Sequence, residues 1–151
     1  MGRAQVVAEL PGTALAAELR WRDPATWAGF VDGFEEVHTL DPSWPAPGAE
    51  LVWDSRPGGR GRVVERVSAH EPGRLLVTEV RDDELTATQR VAFADLGHDA
   101  DGPVARVALA LEYRLVRRGP LLLVVDPLFV RRALRDSLRR TLDALAADLR
   151  G

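Results

Sequence analysis

The residues of this sequence that could do chemistry are a few polar side chains set among apolar ones on strand-like segments. In residues 62–69, Glu65 falls in step with Val63 and Val67, so all three would share one face of a strand. The opposite face carries Val64, Arg66 and Ser68, and we take the face of Val63 as the inward one. Burying an unpaired carboxyl group is costly, so such a group is usually paired or functional. Glu65 is therefore a candidate catalytic group, and a salt-bridged or solvated strand residue is the alternative.

A second polar candidate is Gln89, in the segment 84–95. Alternation places Gln89 on the more apolar face of that strand and Arg90 on the other face. A polar tip in an apolar wall is typical of a pocket that orients a small ligand. The residues that share the face of Gln89 are Leu85, Ala87, Val91 and Phe93.

Two further side chains could move a proton. His38 alternates with Phe34 and Leu40 on a strand-like segment, so it could act as a general base in a cavity. A partly buried or rim histidine is the favoured interpretation. Tyr113 is the other weak catalytic candidate. The three histidines are tens of residues apart and cysteine is absent, so we predict no metal site and no cofactor.

Large apolar side chains could form the walls of a ligand pocket, because aromatic rings offer rigid surfaces with a few polar tips. For any one of them, ordinary core packing is the favoured interpretation. The candidate ligand-binding residues, besides Gln89, are Trp27, Phe30, Trp53, Leu109, Leu111, Tyr113 and Phe129.

Composition narrows the classes of function. The chain has 151 residues and a formal net charge of −3, with acidic and basic residues mixed, which argues against a nucleic-acid partner. It has no lysine, which excludes a Schiff-base or P-loop lysine. The N-terminus lacks the pattern of a signal peptide, and the longest apolar run, 121–125, is too short for an integral membrane segment. We therefore expect a cytoplasmic protein.

The order of elements is a strand, two short helices, about six strands and one long helix. Thr13 and Asp23-Pro24 are start signals for the two short helices. The strands are separated by breaks of turn length, which predicts an antiparallel meander. In residues 104–117, alternation predicts an inward face formed by Val107, Leu109, Leu111, Tyr113 and Leu115.

The C-terminal segment predicts a long amphipathic helix with a stripe of leucines at 134, 138, 142, 145 and 149. Two starts remain open: a helix from Gly119-Pro120 kinked near 123–127, or a short turn and then a helix from Pro127. An arginine run, 131–140, could touch anionic lipid or nucleic acid. Asp136 lies four residues from both Arg132 and Arg140, however, which favours a solvated face with internal ion pairs.

A small helix followed by Asp23-Pro24-x-x-Trp27, a meander and a long C-terminal helix resembles the SRPBCC or START-like superfamily. The nearest branch is polyketide cyclase/dehydrase-like. The resemblance covers nearly the whole chain and implies one domain over residues 1–151. It implies an α+β helix-grip fold, in which a bent antiparallel sheet of about seven strands wraps around the long C-terminal helix, with two short helices after strand 1. An apolar cavity would lie between sheet and helix.

The resemblance implies that the protein binds a hydrophobic small molecule, lipid or polyketide-like, in that cavity. The cavity mouth is expected between Leu128, Phe129 and the helix that carries Trp27. The alternative function is a polyketide aromatase/cyclase or dehydratase that uses polar pocket residues. A protein-interaction module, including a homodimer, is a third class that the sequence leaves open.

Overall fold

The computed structural model describes residues 1–116 and 127–151, which form seven strands, two α-helices and one 3₁₀ helix. In chain order the elements are β1 (Gly2–Pro11), α1 (Ala14–Arg22), the 3₁₀ helix (Pro24–Gly29), β2 (Phe34–Leu40), β3 (Glu50–Ser55), β4 (Arg62–Glu71), β5 (Leu75–Arg81), β6 (Leu85–Asp99), β7 (Gly102–Leu115) and α2 (Pro127–Leu149).

All seven strands form one antiparallel sheet in the order β1-β7-β6-β5-β4-β3-β2. Strands β2 to β7 are joined in sequence as hairpins, and β1 pairs with β7 at the far side. The bent sheet grips α2, which packs mainly along β1. The predicted α+β helix-grip fold, with about seven strands and two short helices after the first, is confirmed.

The two short helices begin where their capping residues predict. The Thr13 hydroxyl accepts a hydrogen bond from the backbone N–H of Ala16 at 3.1 Å, which satisfies one of the free donors of the first turn. The Asp23 carboxylate accepts in the same way from Ala25 at 3.1 Å. The helix after Pro24 is a 3₁₀ helix of six residues, tighter than an α-helix.

The core lies between the concave sheet face, α2 and the two short helices. Along β7, Val107, Leu109, Leu111 and Tyr113 are buried, as their alternation predicts. The prediction for Leu115 was wrong: its side chain is 38% exposed, because the strand ends there and no described element covers it.

The predicted face of β2 was also wrong. We placed Phe34 and His38 on the same face, but β2 carries two register irregularities against β3. Each one breaks the simple alternation of side chains. Phe34 is therefore buried and Val37 is half-buried, whereas His38 and Leu40 are exposed.

Helix α2 is described from Pro127 onward. The residues that would decide between the two predicted starts, a helix from Gly119-Pro120 with a kink near 123–127 or a short turn and then a helix from Pro127, lie outside the described residues. Of the leucine stripe, Leu138, Leu142 and Leu145 are buried, and the leucines at its two ends are half-buried. Among the described residues, no helix has the length and apolar character to cross a bilayer.

Candidate functional site

A small cavity lies between the middle of α2 and the concave face of the sheet, and its volume is about 40 Å³. It is closed on one side by strands β3, β4, β6 and β7 and on the other by α1, the 3₁₀ helix and α2. The lining residues are Trp21, Trp27, Val31, Asp32, Trp53, Arg60, Glu65, Gln89, Leu109, Ser137, Leu138 and Thr141.

The carboxyl group of Glu65 is the most unusual group in this wall. The Glu65 residue is only 5% exposed. Its Oε2 accepts a hydrogen bond from Trp53 Nε1 at 2.8 Å, and its Oε1 accepts from the Thr78 hydroxyl at 3.1 Å. Burial raises the pKa of Glu65, and these two bonds and the charge of Arg60 offset only part of that effect. The raised pKa shifts the equilibrium of this group toward its neutral form, which can donate a hydrogen bond.

The aromatic wall beside Glu65 is rigid. Trp27 and Trp53 are buried and meet edge to face, with ring centroids 6.4 Å apart. Phe34 contacts both rings, with centroid distances of 5.5 Å to Trp53 and 6.1 Å to Trp27. Trp27 Nε1 donates to the backbone carbonyl of Trp21 at 2.8 Å. Both indole N–H groups are thus satisfied, which fixes the rings in place.

Arg60 reaches the cavity from the turn between β3 and β4. Its guanidinium carbon lies 5.7 Å from the centroid of the Trp53 ring, in a cation–π contact. Arg60 Nε pairs with the buried Asp82 carboxylate, in the turn between β5 and β6, at 2.7 Å. Asp82 also accepts from the backbone N–H groups of Glu84 and Leu85. Arg60 is therefore held by a preorganised partner at the end of the cavity.

The cavity wall formed by α2 is polar, and its side chains hydrogen-bond to Asp32. The Asp32 carboxylate accepts hydrogen bonds from the Ser137 hydroxyl at 2.7 Å and from Arg140 Nε and Nη2 at 3.1 Å each. The Asp32 backbone N–H donates to the Thr141 hydroxyl at 3.0 Å. Burial alone would raise the pKa of Asp32. The bonds from Arg140 and Ser137 and the charges of Arg140 and Arg56 outweigh it and hold that pKa below its usual value.

The structure brings five of the predicted site residues to this cavity: Trp27, Trp53, Glu65, Gln89 and Leu109. Three others are buried but do not line it, namely Phe30, Leu111 and Tyr113. Phe30 packs on Trp21 at 5.5 Å, and the Tyr113 ring lies over Gly2, where any side chain would collide with it. For these three, the structure shows core packing.

Two predicted site residues lie away from the cavity. His38 is exposed, with its Nδ1 3.5 Å from Arg62 Nη2, because the irregularities in β2 turn it outward. Phe129 is 66% exposed, because α2 buries its sheet-facing stripe only from about Leu134 onward. The mouth that we expected at Leu128 and Phe129 is therefore not a wall of this cavity.

Sequence reasoning missed four polar residues of the site. Ser137 and Thr141 had a usable signal, because they are one helical turn apart and lie directly beside the leucine stripe. Asp32 and Arg60 had none, because they lie in turns whose position against α2 and Trp53 is set by the tertiary fold.

The cavity as it stands has room for no more than about three water molecules. Pockets that hold a drug-sized ligand are roughly ten times larger. Within the described ranges, His, Asp and Glu side chains form no group of three that could hold a metal ion. The arrangement provides a carboxyl group with a raised pKa, an amide and two hydroxyl groups at the end of an apolar wall.

The sequence profile of the family described as "Polyketide cyclase / dehydrase and lipid transport" matches residues 3–150. A search of curated protein sequences gave no match. Among solved structures, the chain is similar to the Zhui aromatase/cyclase from Streptomyces sp. R1128, with a TM-score of 0.71 and 12% identity over 99% of this chain and 93% of that one.

Two other solved structures share the fold. A START superfamily protein from Mycobacterium smegmatis has a TM-score of 0.65 and 16% identity over 98% of this chain and 97% of its own. A conserved protein from Geobacillus kaustophilus has a TM-score of 0.70 and 10% identity over 98% and 95%. The profile covers almost the entire sequence. The chain therefore belongs to the polyketide cyclase/dehydrase and lipid transport family, within the SRPBCC or START-like superfamily.

Proposed function

We propose that the protein binds a hydrophobic small molecule, of lipid or polyketide type, in the space between the sheet and α2. The observation that carries this proposal is the buried carboxyl group of Glu65, which faces a cavity walled by indole rings and aliphatic chains. Keeping such a group buried costs stability. It also gives an apolar pocket one polar contact, which can fix the orientation of a ligand.

The size of the cavity adds a requirement to this proposal. A ligand with more than a few heavy atoms enters only if α2 moves away from the sheet, since the sheet is a continuous hydrogen-bonded ladder. The contacts of Asp32 with Ser137 and Arg140 would have to loosen during this movement. The closed form would then be the unliganded member of an equilibrium that the ligand shifts.

Tryptophan fluorescence tests this proposal, because Trp21, Trp27 and Trp53 all line the cavity. We expect quenching or a spectral shift when the protein is titrated with at least one member of a panel of fatty acids, sterols and planar aromatic polyketides. Trp53→Phe should reduce that signal. No response to any member of the panel, with the protein folded, would contradict the proposal.

A second candidate function is that of a polyketide aromatase/cyclase or dehydratase. It is favoured by the raised pKa of Glu65, because a neutral carboxylic acid in an apolar pocket can act as a general acid. Glu65 would protonate a departing hydroxyl group, which leaves as water, while the pocket holds the chain folded. The C–H electrons of the adjacent carbon would form the new C=C bond, and its proton would pass to water. Gln89, which lines the same cavity, would orient a carbonyl group of the substrate.

The two functions are separated by Glu65→Gln, which keeps the shape and hydrogen-bonding capacity of the side chain but cannot donate an acidic proton. If the protein only binds, this variant should retain ligand affinity within a few-fold. If it catalyses, the variant should bind and yet lose product formation from a linear polyketide. His38→Ala, at an exposed position, is the matched control and should change neither measurement.

A further inference from the structure

The first two turns of α2 expose large apolar side chains. Leu128 is 64% exposed and Phe129 is 66% exposed. Apart from Met1, no large hydrophobic residue in the described parts of the chain is more exposed. Contiguous exposed apolar side chains that are flanked by polar groups can form a surface that meets a partner.

The same turns carry three exposed arginines, Arg131, Arg132 and Arg135. Arg132 is one turn from both apolar residues, so positive charge and apolar surface lie side by side. The sequence favoured neutralisation of this face by Asp136. In the structure Arg140 pairs with Asp32 instead. Within residues 1–116 and 127–151, the side chains of Arg131, Arg132 and Arg135 make no hydrogen bond or ion pair.

Charge along the chain is unevenly distributed around this surface. Residues 127–135 contain three arginines and no acidic residue, whereas the whole chain has a formal net charge of −3. The rest of the chain therefore carries a net negative charge. A local basic segment on an acidic protein gives the molecule a directed attraction to an anionic surface.

We propose that the start of α2 docks on the surface of an anionic lipid bilayer. Phe129 and Leu128 would enter the headgroup region, and Arg131, Arg132 and Arg135 would contact lipid phosphates. Apolar residues beside arginines are the signature of interfacial helices. The phosphate backbone of a nucleic acid would leave the two apolar side chains exposed. A symmetric contact with a second copy would bring the same cations together. The proposal is independent of what the cavity binds.

Vesicle sedimentation tests the proposal with the full-length chain. Vesicles of phosphatidylcholine alone are compared with vesicles that also contain phosphatidylglycerol. We expect binding to the anionic vesicles only, weakened by salt. Because each arginine near such a surface contributes about fivefold to binding, Arg131→Gln, Arg132→Gln and Arg135→Gln together should lower the partition coefficient about a hundredfold. Leu128→Gln with Phe129→Gln should lower it at least tenfold.

Matched controls remove the same charge and apolar area elsewhere. Arg66, Arg90 and Arg106 are exposed on the outer sheet face, and Leu15 and Leu19 are exposed on α1. Replacing either set with glutamine should change vesicle binding by at most a few-fold. Circular dichroism checks folding, and the single substitutions Phe129→Gln and Arg132→Gln replace any multiple variant that does not fold.

Four results would overturn the proposal. The first is that the protein does not bind anionic vesicles at low salt, and the second is that it binds both kinds of vesicle equally. The third is that the test and control variants lose vesicle binding to the same extent. The fourth is a loss on arginine substitution but not on substitution of Leu128 and Phe129, which would indicate a general polyanion site. If light scattering showed a dimer that the Phe129 variant dissociates, and vesicle binding were absent, the surface would belong to a second copy.

Discussion

At the scale of single residues, the hydrogen bonds of Glu65 determine how the site tolerates substitution. Glu65→Leu would leave the Trp53 N–H and the Thr78 hydroxyl without their acceptor. An unsatisfied buried polar group costs about 1–3 kcal/mol. We expect the free energy of unfolding to fall by about 2–5 kcal/mol in Glu65→Leu, and by much less in Glu65→Gln, as measured by chemical denaturation. Equal losses in the two variants would contradict this assignment of the hydrogen bonds.

The raised pKa of Glu65 also predicts a pH dependence of stability. A carboxyl group whose pKa is higher in the folded state stabilises the fold fully below its ordinary value of 4.5. That contribution is lost as the pH rises through the folded-state value, because the unfolded state releases its proton first. The stability of Glu65→Gln relative to the native protein should therefore increase as the pH rises above 4.5. Denaturation curves at several pH values would show it, and parallel curves for the two proteins would contradict it.

A second buried carboxylate, Glu18, fastens α1 to the turn between β4 and β5. The Glu18 side chain is fully buried, pairs with Arg22 Nη2 at 2.9 Å and accepts from the backbone N–H of Gly73 at 2.8 Å. Glu18→Ala should lower the free energy of unfolding by about 2–4 kcal/mol, because it leaves Arg22 and a backbone donor unpaired. Glu71→Ala breaks an exposed pair with Arg74 and should cost less than about 1 kcal/mol. A similar loss in both variants would refute the role of Glu18.

The direction of a side chain could be predicted from the sequence where the strand that carries it alternates regularly. Alternation placed Glu65 and Gln89 on inward faces because β4 and β6 are regular at those positions. It failed for His38 because the two irregularities of β2 leave no clear trace in the sequence. Arg60 could not be assigned, since its partner Asp82 lies in another turn and is brought near only by the sheet.

At the scale of elements, α2 is held at its middle and end and carries its exposed residues at its start. Asp32 anchors the middle through Arg140 and Ser137, and Arg20 pairs with Asp148 near the end at 2.5 Å. The leucine stripe predicted that one face of this helix, from Leu134 onward, would pack against the sheet. The change along α2 from exposed residues at its start to buried residues at its middle could not be predicted, because it depends on how far the sheet extends beneath each turn of the helix.

The anchor at Asp32 predicts a second pH dependence, opposite in direction to that of Glu65. Because the folded state lowers the pKa of Asp32, its stabilisation is present above the ordinary value of 3.8 and is lost as the pH falls through the lowered value. Asp32→Asn should therefore cost about 1 kcal/mol at neutral pH, where the bonds to the partly exposed Arg140 are screened. The difference should shrink in acid. Thermal denaturation at both pH values measures it, and an unchanged difference in acid would count against a charged Asp32.

At the scale of the whole molecule, side chains almost fill the space between the sheet and α2. The sequence predicted a cavity through its resemblance to a family, and the structure places a cavity between sheet and helix, although its volume of about 40 Å³ is far below that of a ligand pocket. The size of this cavity could not be predicted from the sequence, because it depends on how far α2 lies from the sheet.

If binding requires α2 to move, weakening its anchor should help a ligand to enter. Apparent affinity is reduced by the fraction of molecules that is competent to bind. Arg140→Gln removes two bonds to Asp32 without altering the cavity wall, since Arg140 does not line it. If this lowers the cost of opening by about 1 kcal/mol, the association rate of a planar aromatic probe should rise about fivefold while stability falls. Stopped-flow tryptophan fluorescence measures the rate.

Asp143→Asn is the matched control, because Asp143 is exposed on the same helix and takes part in none of these bonds to Asp32. It should leave both the association rate and the stability unchanged. A faster rate in Arg140→Gln alone would identify displacement of α2 as the entry step. An unchanged rate, in a variant whose stability has fallen, would mean that the ligand enters without loosening the contact between Asp32 and α2.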